Sequence, residues 1–340
     1  MRAFACENCG QLLFFENSAC LRCGMAQGFV VAERSLAALP LRERAGEPLR
    51  RCANAELATC NWVLGSGDAG ELCRSCRLTR TRPADGDADG LRAFAPAEAA
   101  KRRLLFELFD LGLTVDEALL RFDLLSSAAE PVVTGHADGV ITIDLAESDD
   151  VRREQRRTEL GEPYRTMLGH FRHEIAHYYQ PILVDAPGPE ELARCRALFG
   201  DERQDYATAQ QRHYDQGPPA DWPERFVSAY ATMHPWEDWA ETFAHYLHIR
   251  DTMQTAAAFG LIVTGPAPVK DPALTSVPAV DGDADSIEAM VETWLPLTYA
   301  LNAVNRSMGR ADLYPFTLAP AVIEKLGYVH DAIRTAPRHT

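Results

Sequence analysis

Hydrophobic and polar positions divide the chain into three blocks. Residues 1–80 are turn-rich and cysteine-rich. Residues 81–96 are dominated by Gly, Pro, Asp and Ala with no hydrophobic period, which is the composition of a linker. From Ala97 onward the pattern is largely helical. Leu104, Leu105, Leu108 and Leu111 recur at a 3–4 spacing and predict a helix over Ala97–Leu111, ended by Gly112. A second helix is expected over Asp116–Leu125. The pattern then switches to strand between Pro131 and Leu145: Val132 to Thr134, a turn at Ala137, Asp138 and Gly139, and Val140 to Ile143 read as a β-hairpin. Helix is expected again from Pro163, a residue suited to a first helical position, through Leu168, Phe171 and Ile175 to just before Pro181. Further helices are expected from Pro235 to about Arg250, near 286–308 and over 319–335. The sum is an α+β protein: a small cysteine-rich domain over 1–80, a linker, and a mainly helical domain over 97–340 with a small hairpin or sheet.

A chain of 340 residues, 46% hydrophobic and 24% charged, can bury a sizeable core and suggests two or more domains. No apolar run approaches the ~18 residues a membrane span needs. The best one, Ala256 to Val263, stops before Gly265 and Pro266. Nothing after Met1 reads as a signal peptide, so a cytoplasmic protein with no membrane partner is expected. The net charge of −15 is uneven: residues 1–83 hold 11 basic and 8 acidic side chains, net +3, which leaves −18 on the remainder. An acidic body disfavours nucleic acid as the main partner, because phosphate binding needs a basic field.

Eight of the nine cysteines precede residue 77, at metal-site spacing rather than that of a secreted disulfide framework. Cys6-x-x-Cys9-Gly10 and Cys20-x-x-Cys23-Gly24 are two zinc knuckles. In each, two thiolates face one ion and the glycine suits a turn of positive φ. Cys52, Cys60, Cys73 and Cys76 form a second set, with a clean knuckle only at Cys73 and Cys76. Two structural zinc ions are expected, although spacing alone also permits a crossed order of ligands. A module this small needs metal to fold, and its expected work is structural or protein-binding. Cys195, alone in a helical stretch, reads as a small buried hydrophobe.

His173-Glu174-Ile175-Ala176-His177 is an H-E-x-x-H motif. Residues i and i+4 share a helical face, so both imidazoles can point at one ion, and Glu174 can reach a water there as general base. The extended pattern H-E-x-x-H-x-x-G-x-x-H is absent, because Gln180 and Leu183 occupy its glycine and final histidine places. The best third ligand lies in Trp236-Glu237-Asp238-Trp239-Ala240-Glu241. There Glu237 and Glu241 share a face, one to bind zinc and the other to accept a hydrogen bond from a ligand imidazole. Ala240 would permit close helix approach. His245 and His248, further along the same face, remain alternative ligands. His170 could touch substrate, and His234 could assist an oxyanion or merely cap the helix at Pro235. His213-Tyr214-Asp215 is a polar cluster without an assignable role.

The run Glu237-x-x-Ala240-Glu241-x-Phe243 resembles the third-ligand helix of gluzincin peptidases of the anthrax lethal factor type. That resemblance implies Glu237 as zinc ligand and Glu241 as its support. It also implies that Tyr230, seven residues before Glu237, donates a hydrogen bond to the oxyanion. In related folds a strand placed as Val140–Ile143 is here pairs with extended substrate along an open edge. Nearly the whole chain also resembles a bacterial family of zinc-binding metallopeptidases with an N-terminal zinc ribbon. The resemblance runs through Gly161 to Arg165, Gly169 to Glu174, His234 to Glu241 and Asn305 to Gly309. The implied activity is hydrolysis of a protein or peptide substrate with one catalytic zinc beside two structural ions. The alternative is a zinc-ribbon binding or regulatory protein whose other metal site is inert.

Overall fold

The computed structural model describes residues 2–39, 43–44, 47–65, 67–128, 130–149, 153, 165–266, 269, 271–278 and 284–337. By compactness the chain divides at Phe171/Arg172, into Met1–Phe171 and Arg172–Thr340. The α+β expectation holds: the first unit carries small sheets and a long helix, and the second is helical.

In the first unit, short antiparallel pairs build the cysteine-rich region: β1 (Phe4–Ala5) with β2 (Leu12–Leu13), β3 (Ala26–Val30) with β4 (Ser35–Leu39), β5 (Glu43–Arg44) with β6 (Glu47–Pro48), and β7 (Arg50–Arg51) with β8 (Val63–Leu64). After a four-residue helix α1 (Arg74–Arg77) and strand β9 (Thr79–Thr81) comes α2 (Ala88–Asp110). This helix begins nine residues earlier than its apolar period predicts. The Asp87 side chain caps it by accepting from the Gly90 amide, and Pro96 is carried inside it. Residues 88–96 are therefore helical. Phe106 of α2 packs against Phe15 and Phe29, at 5.2 and 5.8 Å between ring centroids, and Phe29 packs on Trp62 at 5.4 Å. The cysteine-rich region thus shares its core with α2, as expected of a segment too small to bury enough surface alone.

Strands β10 (Arg121–Leu125), β11 (Gly135–Ala137) and β12 (Val140–Asp144) join β9 in one sheet, ordered β11-β12-β10-β9. The helix expected over Asp116–Leu125 is instead a turn followed by β10. The strand pairs with β12 on one side and β9 on the other, and Phe122, Asp123 and Leu124 at its centre are all buried. The hairpin between β11 and β12 turns at Asp138 and Gly139, both with positive φ, as a two-residue primed turn requires. Val132 and Val133 lie outside any strand. The expectation of substrate pairing at Val140–Ile143 is corrected here. β12 lies between β11 and β10 and pairs with both, which leaves β11 and β9 as the edges among the described residues.

Helix α3 (Met167–Gln180) crosses the unit boundary, and Pro163, its expected start, lies outside the described residues. In the second unit follow α4 (Pro189–Phe199), α5 (Tyr206–Gln216), α6 (Pro235–Ala258), α7 (Ile287–Ser307) and α8 (Pro320–Thr335). Cys195 is buried on α4, and burial pushes its thiol up to about 12, consistent with a packing role. Helix α6 is anchored to α3 where the Trp239 indole Nε1 donates to the Ala176 carbonyl at 2.9 Å. It is anchored to α8 by a buried ion pair, Lys325 Nζ to Asp238 Oδ2 at 2.6 Å, and Lys325 also donates to the Arg225 carbonyl at 2.8 Å. Burial pushes Asp238 up to about 7, against the pull of Lys325. Removing the cation strands a buried carboxylate. Lys325→Met should therefore cost about 3–5 kcal/mol, read as a lower urea midpoint, and an unchanged midpoint would refute the anchor.

Candidate metal centre

His173 and His177 sit one turn apart on α3, and Glu237 lies in the first turn of α6. Trp239 and Ala240 are fully buried, so α6 can bring Glu237 against the two histidines. His173 Nε2 is 2.9 Å from Glu237 Oε2 and 3.3 Å from His177 Nε2, and His177 Nε2 is 3.7 Å from the same oxygen. A tetrahedral zinc with bonds of about 2.0–2.1 Å spaces its ligands about 3.3 Å apart. The three distances among these atoms bracket that value. The residues present fit the ion.

Charge tells the same story. Burial disfavours a charged His173, yet hydrogen bonding to Glu237 and Glu241 holds its protonated form well above the ordinary histidine range. Burial would likewise raise Glu237, but hydrogen bonds to His173 and His177 hold it well below the carboxylate range. Two carboxylates against the same imidazole favour positive charge at this point. Glu241 Oε1 accepts from His173 Nδ1 at 2.7 Å, which leaves Nε2 to face the ligand cluster. Ser228 Oγ donates to Glu241 Oε2 at 2.6 Å and accepts from the Ala231 amide, tying down the short turn Tyr230–Thr232. The Tyr230 ring centre lies 5.9 Å from that of His173. Glu174 is buried beside the cluster, and burial raises its carboxyl despite the opposing pull of His173 and His177.

Other sequence candidates fall elsewhere. His234 is the N-cap of α6: Nδ1 accepts from the Trp236 amide and Nε2 donates to the Gln204 carbonyl at 3.1 Å, so both ring nitrogens are engaged within the fold. His245 faces Tyr314 Oη at 2.7 Å, and burial lowers it to about 4; His248 Nδ1 pairs with Arg172. Neither joins the three-residue cluster. His170 precedes His173 by one turn of α3. His213 lies against the site after all: its Nδ1 is 3.3 Å from Thr232 Oγ1, and its ring packs edge-on to Tyr230 at 6.1 Å. Two contributors escaped sequence reasoning, Ser228 and Tyr206. The Tyr206 hydroxyl donates to Glu237 Oε1 at 2.9 Å. Burial, helped by the Glu237 charge, pushes the phenols of Tyr206 and Tyr230 upward, so both stay protonated donors.

The cysteines gather into two uncrossed groups, Cys6, Cys9, Cys20 and Cys23, and Cys52, Cys60, Cys73 and Cys76. Sulfur pairs stand 3.6–3.7 Å apart across Cys6–Cys23, Cys9–Cys20 and Cys60–Cys73. That is far from a disulfide and near the ~3.8 Å edge of a zinc tetrathiolate with ~2.3 Å bonds. Gly10 and Gly24 both take φ +72°, the turn the knuckles require.

Comparison with known proteins matches residues 90–332 to the family described as "Putative zinc-binding metallo-peptidase", and residues 3–87 to a zinc-ribbon domain. The chain belongs to that metallo-peptidase family. Relatives in Mycobacterium bovis and Mycobacterium tuberculosis are each 52% identical over 339 residues, covering 98% of this chain and 95% of theirs, and each is named an uncharacterized protein. No solved structure matches the chain. Zinc is the metal that the family description, the ribbon and the thiolate groups have in common. Among the described residues, no helix is long and apolar enough to cross a membrane.

Proposed function

We propose that the protein is a zinc-dependent peptidase of gluzincin type, with a catalytic ion held by His173, His177 and Glu237 and two structural ions held by the cysteine groups. The observation that carries this reading is the convergence of His173 Nε2, His177 Nε2 and Glu237 Oε2 at tetrahedral spacing beside the buried Glu174. Family membership supports it, and so does the lethal-factor-like order of Tyr230, Glu237 and Glu241. A zinc ion bound there supplies Lewis acidity, lowering the pKa of water toward ~7 and polarising a peptide carbonyl.

Glu174 takes a proton from the attacking water as its oxygen bonds to the carbonyl carbon. It returns that proton to the amide nitrogen as the C–N bond breaks. Tyr230, a protonated donor beside His173, hydrogen-bonds the carbonyl oxygen as charge develops on it. Glu241, braced by Ser228, keeps His173 in one orientation. Substrates are proteins or peptides, and the ribbon region offers a surface for a protein partner.

The test is cleavage of a mixed peptide library, followed through a chelator titration that strips one ion per chain and leaves thiolate-bound zinc in place. Hydrolysis should vanish with that ion and return on adding one equivalent of zinc. Cleavage that survives its removal would sink the reading.

A further inference from the structure

The two oxygens of Glu237 face different partners. Oε2 points at His173 and His177, while Oε1 accepts from the Tyr206 hydroxyl at 2.9 Å. A carboxylate beside a cation can swing to offer both oxygens, which would fill the position that a water or a carbonyl needs. A hydrogen bond to the far oxygen opposes that swing, because binding through both oxygens would forfeit a bond between a buried carboxylate and a half-buried phenol. The geometry points to Tyr206 as a positioning residue that keeps Glu237 a one-oxygen ligand of the catalytic metal. The inference rests on the peptidase reading above.

The fold treats Tyr206 as a fixed part. It is the first residue of α5, and the Asp205 side chain caps that helix by accepting from the Thr208 amide. Two residues before it, the Gln204 carbonyl accepts from His234 Nε2, and the other nitrogen of that ring accepts from the Trp236 amide. The Tyr206 ring lies 5.3 Å from the His234 ring and 6.1 Å from the Trp236 indole. His234 therefore fastens the start of α5 to the start of α6, where Glu237 stands. The phenol and the carboxylate are held by one imidazole bridge and cannot drift apart independently. Tyr206 is separated from Glu237 by 31 residues, so no helical period links them.

The test uses the full chain and its Tyr206→Phe variant, which loses one oxygen and keeps the ring. Zinc affinity at the His173, His177 and Glu237 site is measured by competition with a chromogenic chelator, with thiolate-bound zinc in the same sample as an internal reference. Affinity should fall about 10–100-fold while the thiolate zinc and the helicity are unchanged. Cobalt placed at that site alone, with zinc kept on the cysteines, should show intense four-coordinate visible bands in the wild type. Tyr206→Phe should give the weaker bands of a five-coordinate ion. Unchanged zinc affinity with an unchanged cobalt spectrum overturns the inference. A fall in kcat with zinc affinity and the cobalt spectrum both unaltered also overturns it, because the phenol would then act on substrate. A wild type that takes up no metal at His173, His177 and Glu237 overturns the peptidase reading itself, and that outcome is distinct from both of the others.

Discussion

Replacing Glu174 with glutamine should slow peptide hydrolysis by about 10²–10⁴-fold, the contribution of a positioned general base, while the chain keeps its full complement of zinc. Glutamine matches glutamate in size but cannot accept the proton of an attacking water. The side chain stands next to His173 and is buried, so no bulk carboxylate or buffer base can take its place. Burial also raises its carboxyl, with His173 and His177 opposing. Metal retention should be unaffected, because the three converging atoms belong to His173, His177 and Glu237. Glu237→Gln should behave in the opposite way and lose the ion. Zinc analysis and initial rates on one peptide separate the two variants. Full activity in Glu174→Gln would remove the proposed mechanism.

The second large effect concerns the buried thiolate group. Cys52, Cys60, Cys73 and Cys76 are all buried, and α2 closes over them. Arg102 of α2 donates to the carbonyls of Ala58 and Thr59 at 3.1 and 3.3 Å, just before Cys60. Glu98 lies 3.9 Å from the Cys76 sulfur and pairs with Lys101 at 2.6 Å, with none of either side chain exposed. A structural zinc contributes on the order of 10–16 kcal/mol of apparent binding free energy, comparable to the ~5–15 kcal/mol stability of a whole domain. Cys73→Ser should therefore release one zinc and unfold more than the knuckle, taking the protection of α2 amides with it. Hydrogen exchange over Ala88–Asp110 reads this directly. Native protection there with full zinc content would refute it. Cys23, exposed in the other group, should give a more local loss when changed to serine.

Local periodicity made much of this protein legible. The H-E-x-x-H residues share a face because a helix repeats every 3.6 residues, and Leu168, Phe171 and Ile175 announce that helix. The same spacing placed Glu237 and Glu241 together, and C-x-x-C-G spacing marked the thiolate groups. Misreadings arose where a local signal had two outcomes. Residues 116–125 carried enough apolar positions to read as helix, and pairing of Arg121–Leu125 with β12 and β9 made that half of the segment a strand. The Ala, Asp and Gly of residues 88–96 resembled a linker until the Asp87 cap and the shared aromatic core made them helix.

From the sequence alone came the candidate ligand types, their mounting on helices and the grouping of cysteines into knuckles, because each depends on neighbours within one or two turns. Only the tertiary structure decided that Glu237 faces His173 with one oxygen and Tyr206 with the other. It alone decided that Ser228 braces Glu241 and that His234 clasps α5 to α6. Those contacts join residues 13 to 64 positions apart. Packing of whole helices sets them, and that packing follows from buried shape such as Trp239 against Ala176, which leaves no period along the chain.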